Sequence, residues 1–385
     1  YGIPVTKSGN TCAFTLDQPH YLIIKIDGRR QLVLLADPWD DQPTTGSGIL
    51  NVQTEYGADA TGSNYATSAI QSAIDDANKA GGGTVYVPPG LYKCGNLVLS
   101  SNVHLHLAGG SVLRFAGTTA GADKDQYKTW WYKNGQPYTF WIRTEFYSEN
   151  ISITGRGTLD GNGHSTFPNS ANPDGMGVTI LAPMLTGKFH YNGPIIREAS
   201  FWAFNVISVT GATIRNLKVL ERMDMGENDG IDVNQSSDVL VQRSLAIAWD
   251  DPFSTKTWGR KQTGVFMHIP GNDPTIPGKP NPNRNITFEH AVSWTGCFGM
   301  KVGQGTFEDQ IGITFRDVVV YDAAVGIGVH HRSGNARASD ILFENIDIER
   351  LSWENGGKTT WLAVYVEDRN EGVGPIGDVV VRGVK

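Results

Sequence analysis

Eight segments of this chain repeat one pattern, and that repetition constrains the fold more than any other feature. Most open on Asn, Asp or Gly, continue with alternating apolar residues and end in a second short apolar run: "NVHLHLAGGSVLRF" at 102, "NISITGRGTLDG" at 150, "ATIRNLKVL" at 212, "DVLVQRSLAIAW" at 238, "NITFEHAVSW" at 285, "GITFRDVVVYD" at 312, "DILFENIDIERL" at 340 and "DVVVRGV" at 378. Period-two alternation between turn residues is the signature of strands. From residue 212 the segments begin 26, 47, 27, 28 and 38 residues apart. The shorter steps fit one coil of a solenoid, and the longer ones fit a coil carrying a loop insertion. A β-propeller needs four strands per blade and longer, even periods. The expected fold is therefore all-β, a right-handed parallel β-helix.

A solenoid needs capped ends. In "NYATSAIQSAIDDANKAGGG" at 64–83, Ala69, Ile70, Ala73, Ile74 and Ala77 share one helical stripe, Thr67 or Ser68 is placed to cap its start, and Gly81 ends it. This predicts a helical N-cap. Ahead of it, "YLIIKIDGRRQLVLLADP" at 21–38 reads as a hairpin from a small β-module, with "WDDQPTTGSG" as linker. The expected division is residues 1–50 for this module and linker, which prop up the helix or bind carbohydrate, and 51–385 for the β-helix. The chain opens on Tyr1 and ends in the strand-like "DVVVRGVK", so continuation beyond both ends is expected.

The formal charge of −7 argues against a nucleic-acid partner and supplies no general attraction for a polyanion. No apolar run reaches the roughly 18 residues of a membrane span, so no membrane partner is expected. Three distant cysteines, Cys12, Cys94 and Cys297, form neither a zinc motif nor a disulfide framework.

One stretch stands out chemically. "ENDGIDVNQSSDVLVQRSLAIAWDD", Glu227 to Asp251, holds six acidic residues. Asp229 and Asp250 lie 21 residues apart, close to one plain coil, which predicts that they stack across adjacent strands about 4.8 Å apart, with Asp251 following at once. Carboxyls that close do not all ionise at neutral pH, and a protonated one beside ionised ones is what glycosidic hydrolysis requires. Asp232 and Asp238 read instead as turn-ladder residues. A second reading is a calcium-assisted lyase or epimerase, with Lys256, Arg222 or Arg260 as the base; a third is a non-catalytic carbohydrate-binding solenoid.

"NDGIDV" followed by "WDD", within coils that come after "GGGTVYVPPG" and "GRGTLDGNG", resembles glycoside hydrolase family 28, the polygalacturonase family, over roughly residues 54–385. The resemblance implies inversion of configuration, with Asp250 as general acid and Asp229 and Asp251 holding the attacking water. Two family motifs depart. Phe298 stands in place of the histidine of G-H-G, while Gly328 and His330 replace the Arg and Lys of R-x-K that grip a galacturonate carboxylate. His331 and Arg332 are the nearby substitutes, and reliance on histidine charge predicts activity that falls above about pH 6.5. The loss leans the expected substrate from plain polygalacturonate toward modified pectin or a neutral α-glucan, of the kind cut by the related dextranase and α-1,3-glucanase families.

Further groove residues are expected to be Lys256, Trp258, Lys301 and Gln304. "TWWYKNGQPYTFW" at 129–141 reads as an exposed groove wall or as core, and the Pro-rich 269–285 segment as a loop overhanging the site. The expectation is a secreted, monomeric hydrolase of a cell-wall polysaccharide, needing no cofactor and no metal.

Overall fold

A computed structural model describes residues 3–42, 44–118, 120–132, 135–259 and 268–385. The chain divides into two compact units, Tyr1–Gln42 and Pro43–Lys385. In the first, the hairpin expected over 21–38 pairs His20–Ile24 with Leu32–Ala36. A second hairpin, Val5–Ser8 with Thr11–Phe14, has no alternating apolar pattern and all of its residues are exposed.

The larger unit is a parallel β-helix. Ala212, Val239, Ile286, Ile313, Ile341 and Val379 occupy equivalent places on successive coils, the alignment that the repeated segments predict. One step inward along the same strands, Ile214, Val241, Phe288, Phe315, Phe343 and Val381 form a continuous core row. Within it Phe288 and Phe315 stack at 4.9 Å, and Phe315 and Phe343 at 5.2 Å, with nearly parallel rings. These strands belong to a 17-stranded sheet, and a second sheet of 10 strands closes the coil and carries the residues of interest below. No helix among the described residues is long and apolar enough to cross a membrane.

At the turns, Asn and Asp adopt left-handed backbone, which they tolerate better than most residues. Asn285 donates to Asp238 at 2.6 Å and Asn345 to Asp317 at 3.1 Å, so Asp238 is the turn-ladder residue its sequence position predicts. The capping helix spans Thr67–Lys79 and buries Ile70, Ala73, Ile74 and Ala77, with Gly81 left-handed beyond its end. Its start differs from expectation. Ala66 is the capping position and offers no side-chain bond, while the Thr67 hydroxyl accepts the Gly95 N–H at 2.7 Å, tying helix to coil.

The aromatic and Pro-rich segments meet in one apolar cluster. Trp130, Tyr138, Phe140 and Trp141 are buried, so these aromatics are core, whereas Trp131 is 59% exposed. The Pro-rich loop sinks Ile269 and Ile276 into the same apolar cluster as Trp130, Tyr138 and Trp258, and His268 pairs with Asp273 at its base.

Asn283 fastens the coils around the site. Fully buried, it accepts the Ser236 N–H at 2.8 Å and donates to the Val233 and Lys256 carbonyls at 3.1 and 3.0 Å and to Gln310 at 3.1 Å. Asn283→Ala leaves these groups unmatched and is expected to cost about 1–3 kcal/mol, measured by denaturant unfolding.

Candidate active site

Asn228 begins the assembly. Its Oδ1 accepts the backbone N–H groups of Trp249 and Asp250 at 3.1 and 3.2 Å, and its Nδ2 donates to the Arg222 carbonyl at 2.7 Å. Beside it the Gly230 N–H donates to the Asp251 carbonyl at 2.9 Å, and a Cβ at Gly230 would lie 2.4 Å from the Pro252 oxygen, so only glycine permits this approach. The pairing continues as Ile231 with Phe253, an offset of 22 residues. The expected stacking of Asp229 on Asp250 is therefore corrected by one residue: Asp229 stacks on Asp251, and Asp250 lies beside Asn228. From the next coil, the Thr295 hydroxyl reaches the carbonyls of Trp249 and Asp250 at 3.0 and 2.7 Å.

The three predicted carboxylates share one pocket with Asp232, which sequence reasoning assigned to a turn. Lys256 Nζ pairs with Asp229, lies 2.6 Å from Asp232 Oδ1 and 3.6 Å from Asp251 Oδ2, and sits 4.1 Å above the Trp202 ring. Lys301 Nζ is 2.8 Å from Asp251 Oδ2. Asp232, Ser254, Lys301, Gly328 and Ala363 follow one another in a single row across five coils. Asp232 was missed because its position alternates with core residues Ile231 and Val233, and Lys256, though named as a site residue, was assigned to the substrate and not to Asp232. Trp202 and Asn228 were missed for the same reason, since their roles exist only across coils.

Four carboxyls face two ammonium groups, so the fully ionised pocket carries two surplus negative charges. Burial works against charge on Lys256, yet Asp229, Asp232 and Asp251 outweigh it and hold the ammonium well above the ordinary lysine range. Burial likewise pushes Asp251 up, but Lys301 and Lys256 prevail and hold it below the usual carboxylate range. Burial and then the Asp251 charge raise Asp250, against Lys301 and Lys256. Burial, with Asp232, pushes Asp229 well up, and burial brings Asp232 to about 6 against the pull of Lys256. Asp229, Asp232 and Asp251 are buried, whereas Asp250 is half-buried. Of the three raised carboxyls in this pocket, Asp250 is the least buried. Its Oδ1 accepts the Asp251 N–H at 3.0 Å.

Atoms of Asp250, Asp251 and Cys297 that are able to bind a metal lie within 4.8 Å of one another. Lys301 already neutralises Asp251 there, which opposes a second cation. Arg222, one of the bases considered for a lyase, is bound to Asp224 and His164, and Arg260 lies outside the described residues.

The remaining groove predictions divide. Phe298, Lys301 and His330 come together: Lys301 sits 4.7 Å over the Phe298 ring, and His330 stacks between Phe298 at 6.0 Å and Tyr365 at 4.4 Å. His330 Nε2 donates to the Glu367 carboxylate at 3.2 Å. Burial and the Lys301 charge lower His330 to about 4, so it is neutral at pH 7 and the expected fall in activity above pH 6.5 finds no source in it. Trp258 is not in the groove: 1% exposed, it packs against Gly305 and Phe307 in the apolar cluster. His331 is also fully buried and bonds the Ala336 carbonyl at 2.8 Å, away from solvent. Gln304 and Arg332 are half-buried.

Comparison with known proteins agrees with this fold. The rhamnogalacturonase A/epimerase, pectate lyase-like family model matches residues 49–140. The chain is 28% identical over 251 residues to an exo-poly-alpha-D-galacturonosidase of Dickeya chrysanthemi, a match covering 53% of this chain and 41% of that protein. It is 26% identical over 328 residues to an exopolygalacturonase of Zea mays, covering 83% and 70%. The chain thus spans less than half the length of the first of these relatives and about 70% of the second. Among solved structures, a hyperthermoactive exopolygalacturonase from Thermotoga maritima superposes with a TM-score of 0.69 at 17% identity, covering 89% of this chain and 82% of the other. Together with the coil architecture, these likenesses show a parallel β-helix fold of the kind found in polygalacturonase structures.

Proposed function

We propose that the protein is a glycoside hydrolase of pectin-type galacturonan that cleaves with inversion of configuration. The observation that carries this is the contrast inside one pocket: Asp250 half-buried and pushed up, Asp251 beside it held low by Lys301 and Lys256. A raised, accessible carboxyl delivers a proton to a leaving oxygen, and an ionised neighbour draws one from water. Asp250 is then the general acid, and Asp229 and Asp251 position the water. Ion pairing to lysine blunts a carboxylate as a nucleophile toward carbon while leaving it able to hold water, which favours direct displacement over a covalent intermediate. The named activities of the relatives concern galacturonan, which supports that substrate over the neutral α-glucans. Galacturonan is a polymer outside the cell, and we infer that the protein acts there.

The test is a panel of polygalacturonate, methyl-esterified pectin, dextran and α-1,3-glucan, read by reducing ends and by the ultraviolet absorbance of unsaturated products. Reducing ends without unsaturation on galacturonan, unchanged by a chelator, are expected, with the first product in inverted anomeric form by NMR. Unsaturated products, or loss on chelation with recovery on adding calcium, would establish elimination instead. Binding without cleavage of any polymer would identify a carbohydrate-binding solenoid.

A further inference from the structure

A cavity of about 90 Å³ adjoins the acids on the side of the earlier coils. Tyr138 and Gly177 line it in register on adjacent strands, Ser200 and Phe201 continue the wall on the next coil, and Phe167 and Glu227 close it. Its connection to the site is direct. The Ala203 N–H donates to the Asp229 carbonyl at 2.8 Å, and two residues earlier the Phe201 ring lies nearly parallel to Trp202 at 5.4 Å, on the same indole that supports Lys256. Glu227 immediately precedes Asn228, and its charge reaches Asp250. None of the proposed proton transfers uses this space.

Size and lining restrict what enters. At the ~30 Å³ that one water occupies in the liquid, the cavity holds roughly three heavy atoms, too few for a sugar ring. The rings of Tyr138, Phe167 and Phe201 make apolar walls, which penalise an ion that has no partner. Glu227 adds negative charge at the same place, so a carboxylate is the occupant least suited to it. One polar handle is present. The buried Ser200 hydroxyl accepts the Val178 N–H at 2.8 Å, and among the described residues its own proton has no acceptor. A methyl group attached to an ester matches this set: the rings cover the methyl, and the hydroxyl donates to the carbonyl oxygen.

We propose that this cavity is a pocket for an ester substituent of the polysaccharide, taking the methyl end of a methyl ester or of an O-acetyl group on a sugar held beside the acids. This rests on the glycan-hydrolase reading of the site and adds to it the decoration that the bound chain carries.

The experiment uses the full chain carrying Asp250→Asn to halt turnover. Calorimetry compares trigalacturonate with its methyl ester and its O-acetyl ester, and a dextran trimer with its O-acetyl ester, each with and without Gly226→Leu and Ser200→Ala. Gly226 lines the cavity, and a Cβ there would meet no atom within 4 Å, so a leucine fits the backbone and takes up the space of the substituent. Thermal unfolding confirms that each variant is folded. With the pocket intact, an esterified trimer is expected to bind roughly 4- to 40-fold tighter than the plain trimer of the same sugar, about fourfold from the buried methyl and the rest from the hydroxyl. Ser200→Ala is expected to leave only the methyl's share, and Gly226→Leu to erase the difference. A gain confined to the methyl ester or to the acetyl ester upholds the pocket and says which group fills it. A gain seen only on the dextran trimer upholds the pocket and removes galacturonan as the substrate. Plain trimers that bind with no gain from either ester, or a gain that survives Gly226→Leu, overturn the pocket and leave the galacturonan reading standing. Failure of every trimer to bind overturns both.

Discussion

Asp250→Asn is expected to lower kcat on galacturonan by about 10²- to 10⁴-fold without loss of folding or of oligosaccharide binding. The amide keeps the shape and still accepts the Asp251 N–H, now at 3.0 Å from Oδ1, but it has no proton to give to the departing sugar oxygen. The pH profile should show why. Burial and the Asp251 charge raise Asp250, so in the parent the acid stays protonated past the usual carboxylate range and activity falls as pH rises through that raised value. Asp251, held low by the two lysines, stays ionised well into acid and sets a lower limb. The asparagine variant should lose the alkaline limb together with its rate. Steady-state kinetics across pH measure both, and activity within tenfold of the parent would remove Asp250 from the acid's role.

Lys256→Met should be the most damaging change to stability in the larger unit, costing about 3–5 kcal/mol, because it leaves Asp229, Asp232 and Asp251 buried against one another without their shared counter-charge. The deficit should depend on pH with a definite sign. In the parent, burial already raises Asp232 to about 6 against Lys256, and without that lysine the carboxyls rise further. The folded state then binds more protons than the unfolded chain, whose aspartates titrate near 3.9, so stability grows as pH falls. Chemical unfolding at several pH values should show the gap from the parent narrowing as pH falls toward about 6, below which Asp232 is protonated in both proteins. A gap independent of pH would mean that lost packing against Trp202, not lost charge, governs the site.

Much of this was legible in the chain because a solenoid writes its architecture locally. Each coil must alternate, turn and begin again, so Ala212, Val239, Ile286 and their successors align in the structure as they do in the text. What failed to show was anything decided between coils. The one-residue error in stacking Asp229 arose because coil length was counted between acidic residues, whereas the pairing is fixed by the close approach of Gly230 to Pro252. Facing was misread where alternation is interrupted. Strand pairing shifts between Thr255 and Thr257 and again between Gln304 and Gly305, and counting by twos through such irregularities sent Trp258 to the groove when it belongs to an apolar cluster. Lys256 and Lys301 were recognised as site residues but assigned to the substrate. Only the distances reveal that they are bound to the protein's own carboxylates.

The row that runs Asp232, Ser254, Lys301, Gly328, Ala363 gives each coil one place in register with the buried charge cluster. On the readings proposed above, proton chemistry and the ester pocket belong to the coils up to residue 256, and the other contacts that read the sugar belong to later coils. A lineage is therefore free to revise its diet one coil at a time, exchanging Phe298, Gly328 or Arg332 for other residues while the acids upstream keep their geometry. The same independence makes transplantation practical: later coils from a relative with different tastes, joined at an Asn or Asp turn, should bring their preference with them and leave the proposed cutting machinery in place.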